Sequence, residues 1–140
     1  MPLLAALGVL VGRYDSIIRE SERKINALHS RTNETLKERD KNEQKYREWQ
    51  SACEEFHASY DALAFPGGYE GAYERILNGD PKAIEAGLCF IEIRPYFFRS
   101  GYIYKDLMRK LARAPLKNND VARYNALREA YLEYRAEKNT

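Results

Sequence analysis

The chain has 140 residues, 44% of them apolar, enough for one domain with a real core and too few for several. Its 23 basic and 21 acidic residues leave a net charge of +2, too balanced to argue by itself for nucleic acid. Two cysteines make no disulfide framework, which favours a reducing, cytoplasmic setting, and with two histidines in all an enzyme is not expected.

Residues 4–63 carry one heptad frame. With Leu4 at position a, the a series includes Val11, Ile18, Ile25, Thr32, Arg39, Tyr46, Cys53 and Tyr60, and the d series includes Leu7, Tyr14, Leu28, Thr35, Asn42, Trp49, Phe56 and Leu63. Such a stripe is a coiled-coil-like seam on one long helix, or two helices folded on each other. The middle, Ser30 to Lys45, offers only Leu36 as a large apolar residue and cannot bury a seam. It is either a solvated run or the turn of a helical hairpin. Thr35 and Glu38 have the spacing of a capping box and suggest a restart there. The unbroken frame argues the other way, for a continuous or slightly kinked helix. The seam needs a cover, so Leu7, Val11, Ile18, Ile25, Leu28, Trp49 and Phe56 are candidates for homo-oligomerisation. The apolar start, Met1 to Gly12, is shorter than the ~20 residues of a membrane span. It reads as a helical turn packed on a partner, and a membrane contact is not expected.

Pro66-Gly67-Gly68 ends the second apolar run, and the stretch to Gly71 separates residues 1–65 from a compact helical bundle over 72–140. A short helix spans Ala72–Leu77 and stops near Gly79. Asp80-Pro81 is an N-cap followed by an N1 proline. It opens a helix to about Ile93 that carries Ile84, Leu88 and Ile91 on one face and ends at Arg94-Pro95. Next comes PYFFRSGYIY, an aromatic elbow. Ser100 or Gly101 starts a helix with Ile103, Leu107 and Leu111 inward, which Ala114-Pro115 stops. Asn119 or Asp120 caps a last helix striped by Val121, Tyr124, Leu127, Tyr131 and Tyr134. No strand alternation occurs, and the fold class is all-α.

Three constellations could carry chemistry. Cys53 and His57 stand at i, i+4, but Cys53 fills an a position of the seam, where a small apolar side chain belongs. Glu85, Cys89 and Glu92 share a helix face, with the carboxylates about 10 Å apart along the axis, loose for acid–base partners. His29 flanks the seam at an e position and reads as solvated. None is joined by a phosphate loop, a dinucleotide fingerprint or metal-ligand spacing, so no cofactor and no metal is expected.

Charge is distributed less evenly than its total suggests. Residues 94–140 hold 11 basic and 5 acidic residues, for +6. Within 94–117 stand seven basic residues and one acid, Asp106, interleaved with Tyr96, Phe97, Phe98, Tyr102 and Tyr104. Lys105, Arg109 and Arg113 recur every four residues opposite the apolar face, and Asp106 can pair with Lys110. Arg99, Tyr102, Lys105, Arg109 and Arg113 are therefore the candidate partner-binding residues. The expected function is non-enzymatic: an adaptor, or an inhibitor or immunity-type protein, meeting a protein partner with an acidic surface. The alternative is an oligomeric factor that binds nucleic acid through 94–117, where rings can stack on bases.

Overall fold

A computed structural model describes the backbone of residues 2–139 and the side chains of residues 14–139. These residues form six helices and no strand: α1 Pro2–Glu38, α2 Glu43–Ala64, α3 Ala72–Leu77, α4 Pro81–Ile93, α5 Ser100–Arg113 and α6 Asn118–Lys138. No helix among the described residues is long and apolar enough to cross a membrane.

The heptad stretch is a hairpin. α1 stops at Glu38 and α2 restarts at Glu43, so a continuous helix through 30–45 is not formed. The restart is capped by Asn42, whose side chain accepts a hydrogen bond from the Lys45 N–H at 2.9 Å. The expected capping box at Thr35 is not used. Thr35 lies inside α1 and donates its hydroxyl back to the Arg31 carbonyl at 2.7 Å. The frame misleads here because heptad counting is informative only within unbroken helix, and this four-residue turn happens to preserve the count. Across the turn, the Arg39 guanidinium rests over the Trp49 ring at 4.9 Å. Further along the arms, Arg31 meets Glu55 at 2.5 Å.

The stripe residues turn inward on both arms. Ile18, Ile25 and Phe56 are buried, and Leu28 and Trp49 are half-buried. The side chains of Leu7 and Val11 lie outside the described residues.

α4 is the hub. Asp80 accepts from the Lys82 N–H at 3.0 Å and Pro81 stands at the first turn, as the sequence indicates. Eight of its residues, Ala83 to Ile91 apart from Glu85, are buried. It packs against α1, α3, α5 and α6, so one core runs from Ile18 and Ile25 through Ile76, Leu88 and Phe90 to Leu107 and Leu111. Gly87 keeps that packing close, since a Cβ there would already touch Ile76, Leu107 and Leu111. Gly79 has φ +83°, and a Cβ would stand 2.9 Å from Pro115, so a side chain at this turn would push the loop after α5 away.

α6 departs furthest from expectation. It starts at Asn118 after Lys117, with no side-chain cap, rather than at Asn119 or Asp120. Its stripe is inward only in the middle. Tyr124 is buried and Leu127 and Tyr131 are half-buried, while Val121 and Tyr134 are exposed at the two ends. What fixes α6 is polar as well as apolar. Arg123 reaches Glu85 at 2.6 Å and Glu92 at 3.0 Å on α4, and the Tyr124 hydroxyl donates to the Met108 carbonyl at 2.8 Å.

A basic aromatic groove as the candidate functional site

The aromatic elbow between α4 and α5 is rigidly placed. Pro95 keeps the residue before it out of the helical region. Arg94 ends α4 in the left-handed region at φ 52°, and its N–H donates to the Phe90 carbonyl at 2.8 Å. Arg99, at φ 67°, opens α5 in the same region. Between them the chain is pinned to the hairpin. The Tyr96 N–H donates to Glu22 at 2.5 Å, and Asn26 donates to the Tyr96 carbonyl at 3.0 Å. The Tyr60 hydroxyl donates to the Phe98 carbonyl at 2.7 Å. Phe97 enters the core edge-on to Phe90, and Phe98 lies beside His29 and Phe56. His29 is therefore half-buried between rings rather than solvated, at 5.5 Å from Phe56 and 5.1 Å from Phe98.

The elbow, the start of α5 and the end of α6 enclose a groove of about 860 Å³. Five cations line it: Arg94, Arg99, Lys105, Arg135 and Lys138. No carboxylate among the described residues does. Rings hold four of the five. Arg94 rests over Tyr104 at 4.9 Å and over Tyr134 at 4.5 Å, Arg99 over Phe98 at 5.3 Å, Arg135 over Tyr131 at 5.8 Å and Lys138 over Tyr134 at 5.3 Å. The positive field is felt by the groove's own phenols. Lys138, and behind it Arg94, hold the Tyr134 hydroxyl below its ordinary range. Tyr104 is pushed the other way by burial. A smaller hollow beside the groove shares Lys105, Tyr131 and Arg135 with it and adds Arg109.

Of the candidate partner-binding residues, the structure brings Arg99, Lys105 and Arg109 to this surface. Tyr102 is 72% exposed but lines neither hollow. Arg113 is exposed at the far end of α5 and lines neither. The expected pairing of Asp106 with Lys110 is corrected. Asp106 pairs with Arg109 at 3.4 Å, not with Lys110, and it also accepts from the Tyr73 hydroxyl at 3.3 Å. Lys110 instead covers the Tyr73 ring at 5.9 Å. Sequence reasoning missed Arg135, Lys138, Tyr131 and Tyr134 as part of the surface. Nothing local to 131–138 shows that α6 returns to the elbow, and its two basic residues are balanced in sequence by Glu133 and Glu137.

The other two constellations lie outside the groove lining. Arg123 sits among Glu85, Cys89 and Glu92, with its guanidinium 3.5 Å from the Cys89 sulfur. Burial, with Glu85 next to it, pushes the Cys89 thiol up to about 12, so it stays protonated and unreactive near neutrality. Cys53 is half-buried and His57 is exposed, its ring edge-on to Phe56 at 5.9 Å. Among the described residues, no group of His, Cys, Asp and Glu could hold a metal ion.

Comparisons with protein-family models, with curated proteins and with solved structures found no match, so the reading of this groove stands on its own residues.

Proposed function

We propose that the chain is a non-enzymatic binding protein, an adaptor or an inhibitor of immunity type, that seats an acidic segment of another protein in the groove. The observation that carries this is the convergence of five cations on one hollow that no carboxylate among the described residues lines. Folding alone gives no reason to gather like charges, whereas a complementary anionic surface repays it in association rate and specificity. The exposed rings at the edge, Tyr96 at 85% and Phe98 at 41%, supply anchors of the kind that dominate interface energetics.

Nucleic acid is the second reading, because cations beside stackable rings also suit a single strand. Favouring protein over nucleic acid, the charges gather around one hollow instead of tracking along a strand's length.

Fluorescence anisotropy with two probes, a short Glu/Asp-rich peptide and a single-stranded RNA of equal charge, tests the choice at physiological salt. The peptide is expected to bind, and the double change Arg99→Glu with Lys105→Glu to weaken it about tenfold or more, chiefly through association rate. Tighter binding of the RNA overturns the protein reading in favour of nucleic acid. Binding of neither overturns the groove as a functional site.

Self-association belongs to the same proposal in narrower form. Ile18, Ile25 and Phe56 are covered by the chain itself. Leu7 and Val11 are then the stripe positions that a second copy would engage. Light scattering is expected to give a concentration-dependent mass that Leu7→Glu with Val11→Glu reduces to a monomer. An unchanged mass in that variant removes the first turns of α1 as the contact.

A further inference from the structure

The groove has a focus, and it is Arg94. Its guanidinium rests over two tyrosine rings and pairs with no carboxylate among the described residues. Its backbone is fixed at φ 52° by the end of α4 and by the buried Pro95 that follows. Left-handed helix ends favour glycine or asparagine, so an arginine here is an unusual choice for closing a helix and is accounted for by its side chain. A guanidinium anchored against rings keeps a planar fork of N–H donors, pre-set for an oxyanion with two or more acceptor oxygens. Lys105 and Lys138 stand around the same hollow and add charge without a fork, and Arg99 and Arg135 add two further guanidiniums.

We propose that Arg94 and the lysines and arginines around it form a phosphate-binding subsite, so that the segment bound in the groove is a phosphorylated peptide. This rests on the protein-partner reading above and deepens it. A side-chain carboxylate brings one negative charge and two oxygens, so it matches fewer of these cations than a dianion does. A phosphate monoester brings about −1.5 to −2 at neutral pH and three strong acceptor oxygens. That is the charge and geometry that an arginine cluster recognises in phosphorylated motifs. Phosphodiesters of a nucleic acid carry one charge each and are spaced along a strand, which fits a single converging hollow less well.

The test uses arrays of degenerate peptides with phosphoserine, phosphothreonine or phosphotyrosine fixed at the centre, beside matched arrays with the plain hydroxyl residue or Glu there. The full chain is expected to prefer one phosphorylated array over its matched plain and Glu arrays by roughly tenfold or more. Arg94→Lys keeps the charge and removes the fork. It should abolish that preference while leaving the circular dichroism spectrum unchanged. Lys138→Gln, remote from the left-handed turn, should weaken phosphopeptide binding in the same direction and covers the case in which Arg94→Lys fails to fold. Equal signal on the phosphorylated and Glu arrays overturns the subsite, and so does an Arg94→Lys protein that keeps the preference. If the Glu/Asp-rich peptide still binds in that case, the protein-partner reading survives without it; if no peptide binds, both fall. A single-stranded RNA that displaces the phosphopeptide at lower concentration than inorganic phosphate assigns the site to nucleic-acid phosphate and overturns the peptide.

Discussion

Two arginines flank α4, and they are used in opposite ways. Arg123 comes from α6 and is neutralised twice over, by Glu85 at 2.6 Å and by Glu92 at 3.0 Å, with only 23% of its side chain exposed. Both carboxylates keep it fully charged, against the desolvation that opposes this. Arg94, which ends the same helix two residues after Glu92, meets rings and no carboxylate among the described residues, in a hollow with four more cations. The first arrangement is closed. Every charge has its counter-charge within the chain, and what it does is hold α6 to α4. The second is open. Its charge is positioned by aromatic contacts and by the Tyr134 hydroxyl, with no carboxylate among the described residues to neutralise it. The contrast teaches that a cluster of basic residues becomes a functional candidate only when the fold supplies no acids to it, and sequence spacing cannot decide that.

The contrast breaks most sharply under substitutions that probe stability. Leu88→Ala, on the fully buried face of α4 between the two arginines, sets the scale at about 2–5 kcal/mol in a denaturant titration. Arg123→Met is expected to cost roughly 2–3 kcal/mol. That is less than the removal of one partner from a fully buried pair, because Glu92 retains some solvent. It should also loosen α6 first, so amides of 123–134 should lose hydrogen-exchange protection before those of α4. Lys105→Gln and Arg135→Gln, in the open cluster, should stay within about half a kcal/mol of the parent chain. If they destabilise it as Arg123→Met does, the groove is an internal salt-bridge face after all, and the two arginines are not different in kind.

The helices of the second half were legible because their punctuation is local. Asp80-Pro81, Arg94-Pro95 and Ala114-Pro115 act within a few residues, through proline's missing N–H and its steric demand on the residue before it, and α3, α4 and α5 fall where they point. The hairpin was not decided, since the decisive residue, Asn42, sits at a d position where it reads as a polar break in either fold. Half of the groove was legible in the same way. Arg94, Arg99 and Lys105 stand close together in sequence with their aromatic neighbours. Arg135, Lys138 and Tyr134 arrive only through the path of α6, which depends on Arg123 finding Glu85 across 38 residues. Glu85, Cys89 and Glu92 looked like a loose catalytic set for the same reason. Their shared face was visible, and the arginine that occupies it was not.

The thiol inside the closed cluster has the smallest effect on stability. Cys89 touches Arg123 at 3.5 Å and Glu85 at 3.4 Å. Burial and the Glu85 carboxylate raise its pKa from an ordinary value near 9 to about 12 in the folded chain. A thiol whose folded pKa is raised favours the folded state fully below the unfolded value and loses that contribution as pH climbs through the folded one. Tyr60, Tyr73, Tyr104 and Tyr124 are raised as well, each chiefly by burial, so their contributions fade in the same alkaline direction. The thermal midpoint should therefore be level from neutrality to about pH 9 and fall between about pH 9 and 12. At neutral pH an alkylating reagent should modify the half-buried Cys53 well before Cys89. Arg123→Met removes the one group that favours the Cys89 thiolate and leaves Glu85 beside it, so the pH needed to label Cys89 in the folded chain should rise, even as α6 loosens. Should Cys89 instead label faster than Cys53 at neutral pH, the cluster is reactive rather than closed, and the contrast with the groove collapses from that side.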